Sequence, residues 1–279
     1  MEENEEDSTE TRWKDTKEII KKAWIVEERR VKERKLGFRR WWNRDCTRMK
    51  WGAKKEYKKW KKGEKKQWKT HFEKLLQGSG TKKLGEKREM IGEKKEGEGI
   101  TAEEILQAWK DLKKRKAPGW DEIPNEAWIH GSQEIKEKLV AIIGKIWDGE
   151  EIPEDWKTGV IVQIYKKGNV NESGNYRGIT LLPTTYKIYA EVLRKILVKE
   201  VEEKGLEGGV RTVNRKKLWK ILEDIGISKY IVEQLKGIYE EPRVRVRTEG
   251  GVTEDFWTEL GLRQGCVLSP ILFCFYIRD

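Results

Sequence analysis

The sequence predicts an α+β fold, and three observations carry the prediction. Apolar residues recur at helical spacing, as in Ile135, Leu139, Ile142, Ile143 and Ile146. A short β-branched run bounded by glycine, residues 159–165, reads as a strand. The stretch from Arg243 to Thr258 alternates Val244 and Val246 with Arg243, Arg245 and Arg247, turns at Gly250 and Gly251, and returns. That pattern is a β-hairpin, so antiparallel pairing is expected.

A chain of 279 residues allows one large domain or two small ones. With 39% charged and 36% hydrophobic residues the core is lean, and the 14 tryptophans supply much of its apolar mass. Net charge is +11, which favours a polyanionic partner, most simply RNA or DNA. Residues 29–69 hold 19 Lys and Arg against 4 Asp and Glu, a local +15, so the remainder is net −4. The basic character therefore belongs to the N-terminal third.

Cys46, Cys266 and Cys274 form no CxxC pair, and His71 and His130 have no partner at ligand spacing. That spacing argues against both zinc and a disulfide framework, and a reducing compartment fits. The acidic start is not a secretory signal, and no apolar run approaches the ~18 residues of a membrane span. The expected location is intracellular, nuclear or cytoplasmic, with no membrane partner. The motifs GxxxxGK[ST], HExxH and GxSxG do not occur.

In chain order, residues 1–10 are expected to be a disordered acidic tail. Residues 11–77 read as a basic, Trp- and Lys-rich helical segment. Its densest part, Lys54, Lys55, Lys58, Lys59, Trp60, Lys61 and Lys62, suits nucleic acid: lysines neutralise phosphates and indole faces stack on bases. Equally, such tryptophans can pack on a neighbour and leave a solvated lysine face. The clusters also fit a nuclear import signal. Residues 78–99, poor in apolar side chains, read as a linker.

Order returns with a capping box, Thr101 and Glu104, before a helix carrying Ile105, Ala108, Trp109 and Leu112. Lys113 to Lys116 load its C-terminus and Pro118-Gly119 ends it. A turn-rich segment with Pro124 precedes a helix over 132–147, and Pro153 marks its exit. After the 159–165 strand comes a polar loop, 166–178, and then a short strand over 179–182. Helices are expected over 184–204, 215–225 and 228–240. The arginine face of the hairpin reads as a solvated edge.

The block most suggestive of chemistry is Gly261-Leu262-Arg263-Gln264-Gly265-Cys266-Val267-Leu268-Ser269-Pro270. Gly265 admits close approach of a ring or backbone, and Gln264 offers a carboxamide that donates and accepts. Ser269 and Pro270 read as N-cap and first residue of a helix that is apolar nearly all round, and so is expected to be buried. Lys166, Lys167 and Arg177 flank the 166–178 loop, a cationic turn able to close on a triphosphate. Composition alone favours the plainer reading, a basic surface hairpin.

This block resembles the RQG-x-x-LSP block of reverse transcriptases of non-long-terminal-repeat retrotransposons. Other blocks follow that family's order. Residues 116–126 look like KAPG-x-DGIPNE, with Glu122 in place of glycine. Residues 156–187 are similar to W-x-x-G-x-I-x-x-I-x-KKG, then NYRGI-x-LL and YKIYA. Residues 212–219 resemble VNR-x-x-LW. Trp41-Trp42-Asn43 with Cys46, and residues 68–76, are similar to the linker before the polymerase, with no endonuclease expected ahead of it.

The resemblance, covering roughly residues 100–279, implies the fingers and an incomplete palm of a right-hand polymerase. It implies RNA-directed DNA polymerase chemistry on RNA or DNA. It puts Lys166, Lys167 and Arg177 against the incoming triphosphate, with Gln264 and Gly265 lining a dNTP pocket. It also implies Mg²⁺, and here the chain departs. Polymerases of this class hold two Mg²⁺ ions about 3.5–4 Å apart on carboxylates. Val210-Arg211 stand where Phe-Asp is expected, Gly205 takes the upstream Asp position, and Glu207 is isolated. The Y-x-DD block would follow Asp279. No metal is therefore expected to be held and no residue is assigned as catalytic. The expected protein is an internally deleted, truncated reverse transcriptase domain, inactive by itself. A non-catalytic nucleic-acid-binding remnant is the alternative.

Overall fold

The computed structural model describes residues 8–33, 65–77, 99–169, 172–204, 213–248 and 251–276. Helix α1 (Thr9–Glu33) opens the chain, and α2 spans residues 65–76. Then come α3 (Ala102–Lys110), α4 (Asn125–Ile129), α5 (Gln133–Trp147), α6 (Glu154–Lys157), β1 (Thr158–Tyr165) and β2 (Tyr176–Leu181). They are followed by α7 (Thr184–Lys204), α8 (Arg215–Asp224), α9 (Lys229–Tyr239), β3 (Arg243–Thr248), β4 (Gly251–Val252), β5 (Phe256–Trp257) and α10 (Ser269–Tyr276).

Local chemistry sets several of these bounds. Thr101 accepts from the Glu104 N–H at 3.2 Å and its own N–H donates to the Glu104 carboxylate at 2.8 Å, the reciprocal capping box. Ser132 caps α5 by accepting from Ile135 N–H at 3.4 Å, and Asn214 caps α8 by accepting from Lys217 N–H at 3.3 Å. Other expectations need correction. Helix α3 stops at Lys110 with Asp111 as C-cap, and Arg115 beyond it sits at φ 60°, so Lys113 to Lys116 load no helix end. The turn-rich segments hide two short helices, α4 and α6, each entered from a proline in extended conformation.

The acidic start was expected to be disordered to residue 10, yet α1 begins at Thr9. The Thr9 N–H donates to the Glu150 carboxylate at 3.0 Å and its hydroxyl donates to the Glu151 carbonyl at 2.7 Å. Partners 141 and 142 residues away supply what local composition lacks. Trp13, fully buried, stacks on Trp128 at 6.2 Å and meets Trp156 edge-on at 5.7 Å. Its indole N–H donates to Asp155 at 3.0 Å, and Lys17 pairs with the same carboxylate. Of the two readings of the N-terminal tryptophans, packing is what Trp13 does. Lys54 to Lys62, Trp60 among them, lie outside the described residues.

The sheet is mixed, in the order β2-β1-β3-β4, with β5 also on β3. β1 and β2 are antiparallel, with Tyr165 opposite Tyr176, so β2 begins earlier than residue 179. β1 and β3 are parallel, Gly159 opposite Val244 and Ile161 opposite Val246. This corrects the expectation of purely antiparallel strands: the helices α7, α8 and α9 between β2 and β3 carry the chain back to the same end. β3 is therefore interior, and its arginine face is no solvated edge. The Arg243 guanidinium lies 4.3 Å from the Trp257 ring centroid and that of Arg245 3.7 Å from Trp120.

Two apolar clusters result. The larger joins α1 and α3 to α10 around Trp128, Leu139, Ile142, Tyr189 and Leu235. The smaller sits between α2 and one face of the sheet: Phe72, Ile161, Val244, Val246 and Phe256, with Trp68 and Leu76 packed against them. Helix α10 belongs to the larger, but only Leu272 and Phe275 are buried, and Cys274 is exposed. It therefore offers one face to the core rather than being enclosed. Among the described residues no helix is long and apolar enough to cross a membrane.

Candidate functional site

The 261–270 block closes on itself before it touches anything else. Cys266 N–H donates to the Arg263 carbonyl at 3.0 Å, and the Ser269 hydroxyl donates to the same carbonyl at 2.8 Å. Ser269 thus braces the loop, and the expected N-cap role falls away. The loop then docks along β2, where the Thr180 N–H donates to the Gln264 carbonyl at 2.7 Å. Gly265 has φ +113°, and a Cβ there would lie 2.7 Å from the Thr180 carbonyl oxygen. Only glycine permits this approach of two backbones. The Gln264 main chain is held while its side chain stays exposed.

Two arginines fix the frame, Arg263 buried and Arg215 half-buried. Arg263 donates to the Lys157 carbonyl at 2.9 Å and lies 4.9 Å from the Tyr186 ring centroid. Arg215 donates to the carbonyls of Gly261 at 2.9 Å and Thr258 at 2.8 Å. Burial pushes the Arg215 guanidinium down to about 10, so it stays charged at neutral pH. Burial also raises the Tyr239 phenol beneath it to about 12. Sequence reasoning read Arg263 and Arg215 only as members of two motifs, and gave neither a structural role. A structural arginine binding carbonyls carries no local signature.

The 166–178 hairpin forms the facing side. Lys166 N–H donates to the Asn175 carbonyl at 2.9 Å, and the Tyr165 hydroxyl donates to the Gly168 carbonyl at 2.6 Å. Between hairpin and loop lies a cavity of about 910 Å³ whose lining includes Lys166, Arg177, Gln264 and Gly265. Lys167 is exposed on the hairpin and is not among the lining residues. The third wall is α2, through Phe72, Leu75 and Leu76. Backbone bonds from Glu259 and Leu260 to the Leu76 carbonyl, at 2.9 and 3.0 Å, anchor it. That wall was missed, although Trp68, Phe72, Leu75 and Leu76 stand at i, i+4, i+7 and i+8, an amphipathic stripe.

The site thus combines two exposed cations, a free carboxamide, a backbone without a side chain and an apolar wall. This suits a planar, polar-edged ligand bearing negative charge. It does not suit Mg²⁺. No Asp or Glu is among the lining residues, and Lys166, Arg177 and Arg215 repel a cation. Among the described residues no group of three or more His, Cys, Asp or Glu could hold a metal ion. Glu207, Val210 and Arg211 lie outside the described residues.

No protein-family model matches the chain. Two curated proteins of Drosophila melanogaster are similar to it. One, named "Probable RNA-directed DNA polymerase from transposon X-element", is 24% identical over 208 residues, covering 59% of this chain and 23% of that protein. The other, named "Probable RNA-directed DNA polymerase from transposon BS", is 24% identical over 222 residues, covering 64% of this chain and 24% of that protein. The chain spans about a quarter of the length of these relatives.

Proposed function

We propose that this chain, a reverse transcriptase-like retrotransposon protein, is the part of an RNA-directed DNA polymerase that grips nucleotide and nucleic acid without supplying the chemistry. In this reading it comprises fingers and an incomplete palm. The observation that carries it is the convergence of Lys166, Arg177, Gln264 and Gly265 on one cavity. These residues come from a hairpin and a loop far apart in sequence, yet the resemblance assigns all of them to the same ligand. Arg177 and Lys166 would meet the phosphates, Lys167 would stand nearby, and the flat space at Gly265 would take the base or sugar. Nucleotidyl transfer needs carboxylates to hold paired Mg²⁺, and the cationic lining supports a positioning role only.

A dNTP titration tests the grip. Arg177→Ala removes a charge-assisted contact of about 1.5–3 kcal/mol, so affinity should fall roughly tenfold to a hundredfold. Gln264→Ala should cost less, and unchanged affinity in both variants would sink the assignment. Primer extension on an RNA template with Mg²⁺ or Mn²⁺ tests the chemistry: no incorporation is expected, and template-dependent incorporation refutes inactivity.

The local +15 of residues 29–69 favours a second reading, a binding module centred on Lys54 to Lys62. Affinity for RNA or DNA should then fall steeply with salt. Replacing Lys54, Lys55, Lys58, Lys59, Lys61 and Lys62 by Gln should flatten that slope, and an unaltered slope would discard this reading.

A further inference from the structure

A run of aromatic rings leads outward from the sheet to the tip of the β1–β2 hairpin. Phe72, buried in the smaller cluster, stacks on Trp68 at 6.1 Å and 23°. Trp68 meets Tyr176 edge-on at 4.9 Å, and Tyr176 faces its register partner Tyr165 at 5.4 Å. The run ends in solvent: Tyr165 is 43% exposed and its strand neighbour Ile164 47%. A lone exposed apolar residue needs no explanation. This one is different, because its ring is the end of a ladder rooted in the core and its hydroxyl is tied to the Gly168 carbonyl. It is held ready rather than free to collapse onto the surface.

The charge beside the ladder in sequence has one dominant sign. Lys166 and Lys167 follow Tyr165, Arg177 follows Tyr176, and Lys66 precedes Trp68; all four are exposed. The acid of the hairpin, Glu172, is engaged by the Asn175 amide at 3.2 Å and the Asn169 amide at 3.4 Å. In sequence, the six lysines between Lys54 and Lys62 lead directly into α2. We infer that the Tyr165–Tyr176–Trp68 ladder is a stacking platform for single-stranded nucleic acid. The bases lie against Tyr165 at the hairpin tip and the phosphates face Lys66, Lys166, Lys167 and Arg177. A duplex keeps its base faces inside the stack, so an exposed ring gains from single strands alone. A neutral or basic protein surface would not complement four cations.

This inference rests on the reading of the chain as a nucleic-acid binder, and the test separates the two. The full chain is titrated by fluorescence anisotropy against labelled oligothymidylate and against an abasic oligomer of equal length. Tyr165→Ala should weaken oligothymidylate binding on the order of tenfold and leave abasic binding unchanged. Tyr165→Phe keeps the ring but loses the bond to Gly168, and should weaken oligothymidylate binding far less than Tyr165→Ala while leaving abasic binding unchanged. Lys166→Gln with Lys167→Gln should weaken both oligomers alike. Unaltered abasic affinity also reports that Tyr165→Ala is folded. If the parent binds oligothymidylate and Tyr165→Ala binds equally, the platform is wrong and the wider reading stands. If Tyr165→Phe is as weak as Tyr165→Ala, the residue only braces its turn and the platform is again wrong. A Tyr165-dependent preference for duplex over single strand overturns it too. If the parent binds neither oligomer, both readings fall.

Discussion

The two apolar clusters differ in how they are built. The helical one is broad and rests on indoles: Trp13, Trp128, Trp147 and Trp156 are almost wholly buried in it. The sheet cluster is five residues deep in a single face, Phe72, Ile161, Val244, Val246 and Phe256, and it borders the cavity. A lean sequence has placed its bulk in one half and set the cavity cations Lys166 and Arg177 at the edge of the other. Stability and the proposed binding therefore rest on different residues, and each should respond to its own substitutions.

The largest break is Trp13→Ala. A fully buried ring with two aromatic partners and an indole bond to Asp155 should cost about 3–5 kcal/mol on removal. Urea unfolding should show a lower midpoint at unchanged slope, while dNTP affinity of the folded protein stays as it was. A loss of affinity without loss of stability would reverse the division of labour.

Asp121 gives the second. It is 1% exposed, one carboxylate oxygen has no partner, and burial raises its pKa from 3.8 to about 7. Between those values the folded chain binds more protons at this group than the unfolded chain. Its contribution is therefore fully present below about 4 and is lost as pH rises through about 7. At about 1.4 kcal/mol per unit, this amounts to a few kcal/mol at most. Asp121→Asn should flatten the decline between pH 4 and 7. An unflattened decline in denaturant midpoints measured across that range would exclude Asp121 as its source.

On the sheet side, Gly178→Ala would put a Cβ 2.5 Å from the Phe72 ring and 2.9 Å from Ile161. Overpacking of this kind costs about 1–3 kcal/mol. Here α2 should shift away from the sheet, so a drop in dNTP affinity should accompany the lower melting point. The smallest effect is Lys69→Ala. Lys69 pairs with Glu254 at 3.0 Å and Glu73 at 3.7 Å, and the Glu254 hydrogen bond raises its pKa. With Glu254 89% exposed, the loss should stay below about 1 kcal/mol and shrink in high salt.

Legibility followed the range of the forces. The Thr101–Glu104 box, the Ser132 cap and the extent of α7 from Thr184 to Lys204 are set by neighbours a turn or so away, and could be read directly. Lys166, Arg177, Gln264 and Gly265 were legible as candidates because their blocks occur in a recognisable order. Their common cavity was not, since it depends on the bond from Thr180 to Gln264 across the edge of β2. Lys167 shows the limit: it shares Lys166's composition and motif, but is not among the cavity residues.

By itself the sequence determined the local helices, their caps, the strand-forming runs and the concentration of positive charge in the N-terminal third. Tertiary structure alone decided that β1 and β3 run parallel, that Arg243 and Arg245 rest on tryptophans, and that α2 walls the cavity. It also decided that Trp13 is core rather than contact surface. Periodicity and capping are settled between residues a few positions apart. Strand order and burial are settled by which distant surfaces exclude water from one another, and no window of sequence contains both sides of that contact.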